Sequence, residues 1–167
     1  MRVQVKINER GALRNGRFAF TNKFTLISEL LQNGRRANAT EVHVDYDTSA
    51  QRLIVSDNGC GIEDFQRLLT FNESGWDDAT VQTEHPFGLG FSKCLYAAKH
   101  VTVTSRGMRL AFDCEAALDQ AELDVVLATD AAPGITTVCL DGVELPNLDN
   151  LIDRITRGFS KAGASSE

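Results

Sequence analysis

The sequence predicts an α+β chain, a two-layer α/β sandwich whose mixed, mostly antiparallel sheet carries helices on one face. Three observations predict it. Residues 22–37 repeat apolar positions with the helical period, two strand-like segments follow across a short polar turn, and four more strand-like segments come after a later helix.

The first helix sets Phe24, Ile27 and Leu31 on an apolar stripe. Glu29 and Asn33, four residues apart, share a different face, in line with Thr25 and Ala37. "EVHVDYD" then alternates Val42, Val44 and Tyr46 against His43, Asp45 and Asp47, a half-buried strand, and "RLIVSD" pairs with it as a hairpin. "IEDFQRLLTF" places Phe65, Leu68 and Leu69 on one side behind two acids, a short helix. Residues 72–87 are polar, carry Gly75 and Pro86, and have no period, so they read as a long, lid-like loop anchored by Trp76. "GFSKCLYAAKH" resumes as helix, "VTVTSR", "MRLAFDCEA", "LDVVLAT" and "GITTVCL" read as strands, and Leu148, Leu151, Ile152, Ile155 and Phe159 mark a closing amphipathic helix. Residues 160–167 read as a frayed tail.

The 167 residues fit a single domain with a real core, 43% hydrophobic and 24% charged. A net charge of −6 argues against nonspecific nucleic-acid binding but leaves room for one small anion, since backbone amides or a metal ion supply local positive potential. Cys60, Cys94, Cys114 and Cys139 are widely spaced, which fits buried thiols in a reducing cytosol rather than zinc or disulfides. His43, His85 and His100 do not cluster, so no histidine metal site is implied. "MRVQVKINERG" lacks a signal core and no apolar run reaches membrane-spanning length, so a cytoplasmic protein is expected.

Two glycine motifs stand out. In "SDNGCGIED", Asn-Gly is a turn signal, while Gly59 and Gly61 also let backbone approach a ligand, with Asp57 held at a strand end as an acceptor. "HPFGLGFSK" places Gly-x-Gly before a helix, as a hinge or a phosphate-binding turn, and matches neither a Rossmann fingerprint nor a P-loop.

Together, an E-x-x-x-N helix, a strand ending in D-x-G-x-G, and a polar loop ending in G-x-G before a helix resemble the GHKL ATPase superfamily of gyrase, large heat-shock chaperones, histidine kinases and MutL. "ELLQNGRRANATEVHVDYD" resembles the MutL stretch and "FGLGFSKCLYAAKHVTVTSRG" the chaperones, over residues 20–140. The resemblance implies the Bergerat ATP-binding fold, ATP and Mg²⁺ as ligands, and slow ATP hydrolysis. It implies that Glu29 is the general base for the attacking water and that Asn33 ligates Mg²⁺. Asp57 would accept from the adenine amino group, Gly61 and Ile62 would line the base, Ala37 the pocket wall, Gly59 would belong to the same nucleotide site, and Gly88, Leu89, Gly90 and Phe91 would wrap the phosphates. Thr136 is the better match to the family's adenine-contacting threonine, with Thr137 the alternative.

The chain departs from the family twice. Arg36 stands where MutL and the chaperones carry aspartate, and the second domain from which the family's vigorous ATPases take a phosphate-contacting lysine or arginine is not found, Lys93 matching no family catalytic lysine, so slow turnover is expected. In such machines ATP drives dimerisation or docking of a further domain, and the chain reads as the N-terminal module of a larger ATP-gated protein, with ATP and ADP as its small-molecule partners. Competing readings are a serine protein kinase of the anti-sigma type and a nucleotide-gated binding module without significant chemistry.

Overall fold

A computed structural model describes residues 4, 7–18, 24–70 and 90–145. The expected loop at 72–87 with Trp76 and His85, the closing amphipathic helix and the tail all lie outside the described residues.

Six strands form one sheet in the order β1-β2-β6-β3-β4-β5: β1 Val42–Asp47, β2 Arg52–Asp57, β3 His100–Ser105, β4 Met108–Asp113, β5 Val125–Leu127 and β6 Thr136–Asp141. Every pairing among the described residues is antiparallel. The β1–β2 hairpin pairs Val42 with Asp57 through Asp47 with Arg52, as the alternating sequence predicts. Burial alternates along the central strands: Leu53 and Val55, Val101 and Val103, Leu110 and Phe112, Val138 and Leu140 all point to one side. The helices cover that side.

Among the described residues four helices contribute: α1 Glu9–Asn15, α2 Phe24–Arg36, α3 Ser92–Ala97 and α4 Cys114–Leu118. From α2 the buried positions are Leu26, Ile27 and Leu30, followed by Gly34 and Ala37. The buried stripe therefore centres one position before Leu31, which is only half-buried. Cys94, Leu95 and Ala97 of α3 and Cys114 and Leu118 of α4 complete the core. Burial of this apolar set removes it from water at about 25 cal/mol per Å², the main drive for docking helices on the sheet.

Three local readings change. Residues 65–68 form a 3₁₀ turn rather than a longer helix, started by Asp64, whose Oδ1 accepts from Gln66 N at 3.0 Å. "MRLAFDCEA" is not one strand, because Asp113 accepts from Ala116 N at 3.0 Å and caps α4. Cys60 is exposed, unlike Cys94 and Cys114. Burial raises both core thiols, Cys114 to about 12, so they stay protonated and inert. Among the described residues no helix is long and apolar enough to cross a membrane.

Candidate functional site

The end of β2 and the last turn of α2 meet at Asp57. A glycine in mid-helix weakens α2, and its position explains why one is there. A Cβ at Gly34 would fall 2.9 Å from Val42 Cγ2 and 3.5 Å from Asp57 Cβ. The bare backbone thus lets the Asp57 side chain lie alongside the helix, one residue beyond Asn33.

The D-x-G-x-G turn closes on the same place. Gly59 N donates to Asp57 Oδ1 at 2.9 Å, and Cys60 N donates to Ala37 O at 2.9 Å. A Cβ at Gly59 would sit 2.6 Å from Ala37 Cβ and 2.7 Å from Ala37 O, so only glycine permits this approach. Asn58 anchors the turn from outside, its Oδ1 accepting from Thr40 N and Glu41 N at 2.9 and 3.0 Å. Burial pushes the Asp57 carboxyl above the ordinary 3.8, against the opposing Gly59 hydrogen bond.

Across the sheet, Asp57 stands opposite Thr136 and Ser56 opposite Thr137. Thr136 is buried on the helix-covered side with Asp57, whereas Thr137 belongs to the other alternation. Thr136 Oγ1 lies 2.8 Å from Ser105 Oγ, and Ser105 Oγ accepts from Ile62 N at 3.0 Å. This fully buried serine fixes Ile62 and, through it, the segment after Gly61, whose φ of +80° suits glycine. Sequence reading missed Ser105. Its signal is a hydroxyl at the inward position of "VTVTSR", where Val101 and Val103 set an apolar alternation.

At the other end of α2, Glu29 meets α3. Lys93 Nζ donates to Glu29 Oε1 at 3.0 Å, and a Cβ at Gly90 would fall 2.7 Å from Glu29 Oε2. Asn33, one turn on, accepts at Oδ1 from Arg36 Nη1 at 3.3 Å. Phe91 packs half-buried against the core beside Gly90. Gly88 and Leu89 lie outside the described residues. The structure thus brings Asn33, Ala37, Asp57, Gly59, Ile62 and Thr136 around the end of β2, and Glu29 with Gly90 at the other end of the same helix.

The family model described as "Histidine kinase-, DNA gyrase B-, and HSP90-like ATPase" matches residues 21–131, more than half of the chain. The chain belongs to this GHKL family. Its six-stranded antiparallel sheet with helices on one side is the Bergerat fold of that family. No curated protein matches the chain. A cavity of about 1060 Å³ lies elsewhere in this GHKL domain, between Leu13, Phe65, Leu95, Leu110 and Ala117, and among the described residues of the predicted site it touches only Ile62. The acceptor, the backbone donor and the close-approach glycines converge instead at Asp57, and a few placed polar groups are what fix a ligand's orientation in a binding site.

Proposed function

We propose that this GHKL domain binds ATP, with the adenine at Asp57 and the phosphates toward Glu29 and Gly90, and that it hydrolyses ATP slowly. The observation that carries the reading is the convergence of Asp57, Thr136 and the glycine turn on one end of α2. A carboxylate held by a backbone N–H and facing a buried hydroxyl is a fixed acceptor beside a hydroxyl able to donate, which suits an amino-substituted heteroaromatic base. Ile62 and Ala37 supply apolar walls, and Gly59 keeps the space beside Ala37 clear of a side chain.

At the phosphate end, Glu29 is the one carboxylate on the α2 face and takes the role of general base toward water. Gly90 and Phe91 are assigned to the phosphates. The metal fits less well. Any Mg²⁺ accompanying the phosphates would have Asn33 Oδ1 as its protein ligand, yet that oxygen already accepts from a guanidinium, and the neighbouring carboxylate holds an ammonium. Side chains so arranged suit an anion better than a divalent cation. We assign the metal no step.

The domain is read as the nucleotide-sensing module of a larger protein, in which ATP favours dimerisation or docking. Incubation with γ-labelled ATP, alone and with candidate partners, tests the chemistry. Free phosphate supports the ATPase, labelled protein supports a serine kinase, and bound but unchanged ATP supports a binding module.

A further inference from the structure

Three groups on the helix-covered side of the sheet form a chain of donors that ends at the site. Strands β3 and β6 run side by side with Thr104 opposite Thr137, which brings Ser105 next to Thr136. Ile62 N donates to Ser105 Oγ at 3.0 Å, and Ser105 Oγ lies 2.8 Å from Thr136 Oγ1. Gly61 keeps this approach open, since a Cβ there would fall 3.0 Å from Ser105 Oγ. Among the described residues the Ser105 hydroxyl has these two partners and no other.

Two hydroxyls share one hydrogen bond, so one proton fills it and the other must point elsewhere. Ser105 is 0% exposed and Thr136 7%. If Thr136 donated, the Ser105 proton would be left unpaired in the more enclosed place, the costlier arrangement for a buried polar group. Ser105 therefore donates to Thr136. The Ile62 N–H, by donating to the serine oxygen, strengthens that O–H as a donor. The Thr136 proton is left for a ligand, on a residue that stands opposite Asp57. A donor then lies beside an acceptor, the complement of a 6-aminopurine edge, whose amino group donates and whose ring nitrogen N1 accepts. A 6-oxopurine reverses both, its oxygen accepting and its N1–H donating.

We propose that Ser105 is a positioning residue for base recognition. Enclosed beneath the site, it acts through its neighbour: by giving its proton to the Thr136 oxygen, it fixes Thr136 as the donor to the purine N1. The proposal rests on the nucleotide reading above and deepens it, adding a residue that sets which way the threonine faces the base.

The test is calorimetric titration of the whole chain with ATP and with 1-deaza-ATP, in which a C–H replaces N1 and the amino group is kept. The parent, Thr136→Val, Ser105→Ala and Ser105→Cys are compared, the last filling the serine's space with a weak donor and weak acceptor. The parent is expected to bind ATP about tenfold more tightly than the deaza analogue, the worth of one well-formed hydrogen bond. Thr136→Val is expected to bind the two equally. In both Ser105 variants the preference is expected to fall to about threefold or less, because the Thr136 hydroxyl is no longer held or polarised. A purely structural role for Ser105 would weaken both ligands equally and leave the parental preference intact, and that result would overturn the proposal. So would a parent that does not distinguish the two ligands, or a preference that survives Thr136→Val. If the parent binds neither ligand, the nucleotide reading itself fails, an outcome separate from loss of the preference alone. Thermal melts establish that each variant is folded before titration, and Ser105→Cys carries the test if Ser105→Ala does not fold.

Discussion

Asp57 and Thr136 face each other across β2 and β6, on the helix-covered side of the sheet, with the Asp57 side chain running past the bare backbone of Gly34. That pair ties the strand-end acid to the sheet's central strands, and the adenine assignment rests on it.

Glu29→Ala is expected to separate binding from chemistry. ATP affinity should be unchanged, while phosphate release falls about 10²–10⁴-fold, the usual contribution of a positioned base. Parallel titration and phosphate-release assays check this. Parent-like hydrolysis in the variant would remove Glu29 from catalysis.

Gly59→Ala is expected to lower stability by about 1–3 kcal/mol, since its Cβ would meet Ala37 O, a backbone atom that cannot rotate aside. The same clash should break the Cys60–Ala37 hydrogen bond and weaken nucleotide binding. A melting temperature equal to the parent's would show that the turn yields easily.

Ser105→Ala is expected to cost about 1–3 kcal/mol as well, but through unpaired polar groups rather than overlap. The variant leaves Ile62 N and the buried Thr136 hydroxyl without the oxygen they share. Denaturant unfolding of Ser105→Ala measures the cost, and no change would mean that water or local adjustment replaces the hydroxyl.

Asp57 also makes stability depend on pH. Its folded pKa is raised by burial, so the native state binds the proton more tightly than the unfolded chain. Stability from this group therefore falls as pH rises from the ordinary 3.8 through the raised value, and the penalty is complete above it. Asp57→Asn removes the penalty. The variant should melt at or above the parent's temperature at neutral pH, with the difference vanishing below the ordinary aspartate value. A variant markedly less stable at neutral pH would contradict a desolvated carboxylate.

Much of this was legible in the sequence because its signals are local. The β1–β2 hairpin, the E-x-x-x-N helix and the glycine turn each lie within a few residues. Other features depend on distant partners. Helix α1 has no buried residue of its own and is held through Arg10 and Arg14 on Asp119, more than a hundred residues away. Residues 114–116 read as strand because Asp113 as a helix cap is a weaker signal than the alternation before it. In the site, the residue types were readable, but the contacts of Lys93 with Glu29, across 64 positions, and of Ser105 with Thr136 are products of the fold.

The most direct measurement of the central claim is calorimetric titration of the parent and Asp57→Asn with a non-hydrolysable ATP analogue. Exchanging one carboxylate oxygen for an amide turns an acceptor into a donor opposite the adenine amino group, a mismatch costing about 1–3 kcal/mol, or roughly 5–150-fold in affinity. The account predicts saturable binding by the parent and loss of at least that factor in a variant that melts no lower than the parent. Equal affinity in the two proteins would take Asp57 out of the adenine site and contradict the account.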